Sequence, residues 1–271
     1  MSRTIQTIAL AAILTAPAFA NDAIQQVNNQ ESLSIGIAPL HASEVAYNPQ
    51  GTSFVNNESG TRYLFGYDNA RTRTIFGIPN LYTDLEVSLG FATLGYYGNS
   101  ISQTTGAGSA VNQPVSYTEE AVRIRVGRSY EFFESNNVAL TPFLGISQQA
   151  WARDSTANGS ATVYDQEGIE AGVLVQASLP YNLVLGADAA VGRALGAVLF
   201  DGGFGNLTYA GTSSFALKLD HRTFKDWHQR LEIRQTFLRY GQPANVSAFF
   251  EPRRSSELAI MLEVGTETSL F

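Results

Sequence analysis

The segment ELAIMLEVGTE near the C-terminus constrains the fold more than any other part of the chain. Leu258, Ile260, Leu262 and Val264 share one face of an extended chain, and Glu257, Ala259, Met261, Glu263 and Gly265 share the other. Wound into a helix, these residues would scatter glutamates through the apolar stripe. As a strand, with its period of two, they separate cleanly. YTDLEVSLGFATLGYY repeats the arrangement, with Leu85, Val87, Leu89 and Phe91 on one face and Asp84, Glu86, Ser88 and Gly90 opposite. Eight such segments cover about 81–97, 117–131, 138–152, 163–179, 183–198, 207–220, 230–240 and 256–270. A ninth at 61–70 is marked by Tyr63, Phe65 and Tyr67, and a weaker tenth at 32–46 by Leu33, Ile35 and Ile37. The pattern predicts an all-β, up-and-down antiparallel barrel of about ten strands. The alternative is eight strands with 21–80 as an N-terminal extension.

Composition narrows the setting. Charged residues make up 15% of the 271, against roughly 25% in an average soluble domain. With no Cys, disulfide scaffolds, zinc fingers and thiol enzymes are excluded. A net charge of −7 with no Lys/Arg run argues against nucleic-acid binding. Residues 1–20 read as a secretory signal peptide: Arg3, an apolar stretch from Ile8 to Ala16, then Ala18-Phe19-Ala20 before Asn21. That leaves 21–271 as a single domain. No later stretch approaches the roughly 18 continuous apolar residues of a membrane helix, so any membrane crossing must be made by strands.

The connections alternate in character. Residues 48–60, 98–116, 153–162, 199–206 and 241–255 are rich in Gly, Ser, Thr, Asn and Pro, whereas 71–80, 134–137, 180–182 and 221–229 are tighter. Long outer loops and short periplasmic turns are the pattern of a transmembrane barrel. Aromatics fall near strand ends in two groups. Tyr130, Phe132, Phe133, Tyr181, Phe224, Trp227 and Phe271 form one; Tyr96, Tyr97, Trp151, Tyr164, Phe200, Tyr209, Tyr240, Phe249 and Phe250 form the other. Both are expected to be interfacial girdles, where a ring lies half in lipid and half in water.

On these residues the chain resembles Gram-negative outer-membrane β-barrel proteins, and its size is similar to the small monomeric barrels of the OmpA and opacity type. The resemblance implies an outer-membrane location among lipid and lipopolysaccharide. It also implies an assembly signal at Phe271, read on the C-terminal strand by the barrel assembly machinery. Phe271 is out of phase with Leu258 to Val264, and Ser269 stands where an aromatic is common.

With the apolar set toward lipid, Val173 and Leu262 included, the other set lines a lumen. Its acidic candidates are Asp68, Asp84, Glu86, Glu170, Asp188, Glu232, Glu257 and Glu263, and its basic ones Arg123, Arg125, Lys218 and Arg234. Such charges are costly in a narrow bore unless paired or wet. Arg123 and Arg125 are expected to face Asp84 and Glu86, and Glu257 and Glu263 to lie beside Glu232 and Arg234. The network is read as a plug, with a gated ion path as the alternative.

Little points to catalysis. His221 and His228 are expected to be solvated turn residues, and Asp220 and His221, adjacent on a strand, point to opposite faces. The Asp pair and Asp/His couple of omptin proteases, and the His/Ser couple of lipid A deacylases, find no counterpart. No metal or cofactor motif is present. The reading is therefore a non-enzymatic outer-membrane barrel with a structural or surface-interaction role through its loops. A narrow porin-like channel is the alternative, and a lipid- or peptide-modifying enzyme the least favoured. The loop partner is not readable.

Overall fold

The structure, a computed structural model, describes residues 22–47, 53–101, 108–132, 137–154, 162–201, 204–206, 210–224, 226–240 and 253–267. A short helix, α1 (Asp22–Val27), precedes β1 (Gln30–Tyr47), β2 (Ser53–Ile75), β3 (Ile78–Ile101), β4 (Gly108–Arg128) and β5 (Tyr130–Phe132). There follow β6 (Val138–Arg153), β7 (Thr162–Leu179), β8 (Leu183–Asp201), β9 (Phe204–Asn206), β10 (Ala210–Phe224), β11 (Trp227–Tyr240) and β12 (Arg253–Glu267). β5 and β9 are three-residue segments; the other strands close an antiparallel barrel of 10. Residues 32–46 are a barrel strand, so the eight-strand alternative falls away.

Each sequential pair is hydrogen-bonded, and β1 returns to β12, so no edge is left open. At that seam the pairing runs from Gln30↔Glu267 to Ile37↔Ile260 and resumes at Leu40↔Glu257. The break falls at Pro39, which has no N–H to donate. Two links at one end are short turns through left-handed residues: the two-residue link Phe76 (φ 53°) and Gly77 (φ 77°) between β2 and β3, and Tyr181 (φ 66°) and Asn182 (φ 58°) in the three-residue link between β7 and β8. This geometry matches the twist of the flanking strands. We call this the turn end and the opposite one the loop end.

The alternation resolves as lipid-type exterior and polar interior. Leu33, Ile35, Val191 and Leu262 are 69, 62, 65 and 59% exposed, which in water would be an aggregation surface. Together they belong to a continuous apolar belt, the surface that hydrocarbon wets. Below it, Phe76, Phe132, Tyr181, Phe224 and Trp227 stand exposed around the turn end, as a girdle requires.

The wall is uneven. β2, β3 and β4 have 23, 24 and 21 residues, whereas β10, β11 and β12 have 15, 14 and 15. At about 3.4 Å per residue and a tilt near 40°, β3 is roughly 60 Å tall against a belt of about 25 Å. On β4 the exterior turns polar above Val122, with Glu120, Thr118, Ser116 and Asn112 exposed. The tall side therefore rises out of the belt at the loop end.

Candidate functional site

The site is the lumen, which is layered. At the turn end α1 lies inside the barrel mouth. Ile24 and Val27, 2 and 6% exposed, pack against Ala139 of β6 and Val184 of β8. Asn28 and Gln176 exchange amide hydrogen bonds at 2.9 and 2.8 Å, and the Thr72 amide donates to Asn29 Oδ1 at 3.0 Å.

The next layer is built on a histidine. His228 is 1% exposed, which corrects the expectation of a solvated turn residue. It is the second residue of β11, and its strand parity turns the ring inward while Trp227 points out. Its Nδ1 lies 2.7 Å from Asp220 Oδ1 and its Nε2 3.2 Å from Glu267 Oε1. An acceptor on each side suits the doubly protonated ring. Arg230 donates to Asp220 (3.3 Å), Asp68 (3.1 Å) and Glu263 (3.1 Å), and Gln30 to Asp220 (3.2 Å). His221, the neighbour of Asp220, is exposed.

At mid-depth the charges span the bore. Register places Arg125 opposite Asp84 and Arg123 opposite Glu86, as the sequence pattern suggested. The shortest contacts of Arg125 lie elsewhere. It reaches Glu170 of β7 at 2.7 Å and Asp188 of β8 at 2.6 Å, with Asp84 at 3.8 Å. Its guanidinium lies 4.5 Å above the Phe143 ring. Arg123 pairs with Glu86 at 3.1 Å. Arg234 crosses the barrel from β11 to Glu86 on β3 (Nη2 to Oε2, 3.1 Å) and also meets Glu232 at 2.6 Å. Lys218 pairs with Glu232 at 3.4 Å.

Glu257 and Glu263 lie on the strand beside Glu232 and Arg234, as expected, but their own partners are different. Glu263 stands opposite Arg230 in the register, and Glu257 bonds Arg62, which also holds Glu119. Strand phase identifies the acids but not these partners, because Arg62, Glu119 and Arg230 stand at the very start of the segments 61–70, 117–131 and 230–240, where the alternation is least defined.

Toward the loop end the lining becomes aromatic. Tyr96, Trp151 and Tyr164 are 6, 3 and 3% exposed and face inward, which corrects their assignment to an outer girdle. Trp151 stacks on Tyr117 and Tyr164, with centroids 5.4 and 4.1 Å apart. Trp151 alternates with the small residues Ala150 and Ala152, and Tyr96 with the outward Tyr97, so parity rather than nearness to a strand end decides their side. Tyr97, half exposed, does face out. Arg153 and Glu58 form a buried ion pair at this level. The remaining aromatics of that group, and Phe133 and Phe271 of the other, lie outside the residues whose side chains are described.

Between the aromatic and charged layers is a cavity of about 100 Å³. One side, on β1, β2 and β12, is apolar with Leu40, Leu64, Ala259 and Met261, and carries Glu257 beside Leu40; the other, on β4, β6 and β7, is polar with Glu119, Gln149 and Gln166. A wider cavity of about 960 Å³ shares Thr212, Leu238 and Ser255 with it, on the low side of the wall.

No family model and no curated protein matches the sequence. Among solved structures the chain is similar to the outer-membrane protease OmpT from Escherichia coli, at 8% identity and a TM-score of 0.53 over 89% of this chain and 97% of that one. It also aligns with the β-domain of the Bordetella autotransporter BrkA (9% identity, TM-score 0.41, 89 and 100% covered). A further alignment is with the outer-membrane protein AlkL in lipid bilayers (11%, 0.39, 95 and 96%). At such identities the OmpT likeness speaks to architecture alone: the chain has the closed β-barrel fold of the outer-membrane proteins.

Proposed function

We propose that the protein resides in a bacterial outer membrane, turn end to the periplasm, and that it is a non-enzymatic barrel whose bore is closed. Its role is structural or surface-interacting, carried by the tall loop end above the lipid and lipopolysaccharide. The observation that carries this reading is Arg125, 2% exposed in mid-bore and bonded to acids on β7 and β8. A buried guanidinium held by two carboxylates is expensive to disengage, and Arg234 to Glu86 closes the bore from the other side. α1 adds a second seal at the periplasmic mouth. Against catalysis, both ring nitrogens of His228 are taken by carboxylates and Asp220 is taken by Arg230 and Gln30. That leaves the pair no free base to activate a nucleophile. Planar-bilayer recording tests the reading: the purified full chain gives no steady unitary current. A steady, ion-selective current that persists when Arg123 and Arg125 are neutralised overturns it in favour of a narrow channel.

A further inference from the structure

A directional chain of hydrogen bonds ends on a side chain that lines the cavity above the charged layer. Glu119 Oε2 accepts from Arg62, which can only donate, and from Tyr117 Oη at 2.9 Å. Gln149 must therefore present its NH₂ to Glu119 Oε1, which it does at 3.0 Å. Its own carbonyl then faces Gln166, whose Nε2 lies 3.4 Å away. The carboxylate thus fixes the flip of both amides. The chain terminates at Gln166 Oε1, an acceptor on a side chain 4% exposed that has no hydrogen-bond partner. Leaving such an atom buried and unpaired is unfavourable.

The charge lining the same cavity is unbalanced. Two of its carboxylates, Glu119 and Glu257, share one guanidinium, which leaves one negative charge unmatched between them. Arg62 alone serves both Glu119 and Glu257. Around Glu257 lies the apolar wall of Leu40, Leu64, Ala259 and Met261, with Tyr117 and Trp151 on the loop-end side. An unpaired acceptor, one surplus negative charge, an apolar wall and an aromatic roof converge on one ligand chemistry.

We propose that this cavity is a binding site for a small organic monocation, a primary alkylammonium, entering from the loop end. Its N–H groups donate to Gln166 Oε1 and to the Glu257 carboxylate, and its alkyl part lies against Leu64 and Met261. The volume of about 100 Å³ suits a short alkyl chain. The site rests on the closed-barrel reading only for its side of entry.

The test is equilibrium binding of n-butylammonium to the refolded full chain in detergent, read by the emission of Trp151 in a Trp227→Phe background. The neutral isostere n-butanol is run in parallel. Saturable binding is expected, weakened by salt, with n-butanol at least about tenfold weaker, since a hydrogen bond to a charged group is typically worth a factor of about ten or more. Gln166→Met removes the acceptor without altering charge, and Glu257→Gln removes the surplus charge while keeping an acceptor toward Arg62; each should weaken binding about tenfold. Heat-modifiable gel mobility confirms folding, and should Glu257→Gln fail to fold, Gln166→Met decides alone. No saturable signal, equal affinity for butanol and butylammonium, or an unchanged affinity in Gln166→Met overturns the proposal. None of these results alters the bilayer conductance, so failure here is distinguishable from failure of the closed-barrel reading.

Discussion

Arg234 and Glu86 meet across the bore, Nη2 to Oε2 at 3.1 Å, although β11 and β3 are separated around the wall by β12, β1 and β2. A contact of this kind makes the interior a cross-braced solid: each strand is tied to its neighbours by backbone bonds and to distant strands by guanidinium bonds.

Arg125→Met should be strongly destabilising, because it strands Glu170 and Asp188, buried at 6 and 4% exposure. Breaking one side of a buried pair costs about 3–5 kcal/mol. Neutralising the acids as well, with Glu170→Gln and Asp188→Asn, should recover most of that loss. Reversible urea unfolding in phospholipid vesicles measures both; equal stability of the single and triple variants would refute the compensation.

The belt makes a depth-dependent prediction along β12. Leu262→Arg should cost about 2–4 kcal/mol, whereas Ser256→Arg, on the same outward face nearer the loop end, should cost about 0–1 kcal/mol. The same unfolding experiment reads the difference.

Gly172 is a packing requirement. A Cβ there would stand 2.4 Å from Phe143 Cζ and 2.4 Å from the Ala189 carbonyl oxygen, and Phe143 carries Arg125 on its face. Gly172→Ala should cost about 1–3 kcal/mol through overpacking, and should shift the Phe143 ring resonances in an NMR spectrum of the detergent-solubilised protein.

Ile24→Asp should release α1 from the turn-end mouth, since the carboxylate cannot be buried against Ala139 and Val184 without a partner. Protease digestion from the periplasmic side should then cleave near residue 24. The bilayer should stay electrically silent, because the Arg125 layer lies above. Current from Ile24→Asp alone would assign the seal to the helix.

The barrel and the facing of its strands were legible because a period of two leaves little choice: Leu262 out implies Glu263 in. Arg123 and Arg125 fall on the same inner face as Asp84 and Glu86 for the same reason. What the pattern did not carry is distance across the bore. Arg125 to Asp188 and Arg234 to Glu86 depend on barrel radius and stagger, which no local alternation encodes. His228 enters the lumen because the turn is tighter than its composition suggests, so the strand begins at Trp227. Trp151 and Tyr164 lie near strand ends, yet parity turns them inward.

The interrupted pairing at Pro39 has a consequence for how the barrel comes to be shut. At that depth the first and last strands meet through Ala38, Ala259 and Met261, so zipping them together desolvates no charge. Three guanidinium contacts straddle the same join: Arg62 to Glu257, Arg230 to Asp68 and Arg234 to Glu86. None can form while the cylinder gapes. They act as a latch that engages only after closure, and a chain lacking all three acidic partners would remain a gaping intermediate for longer, retained at the site of insertion before any loss of equilibrium stability could be measured.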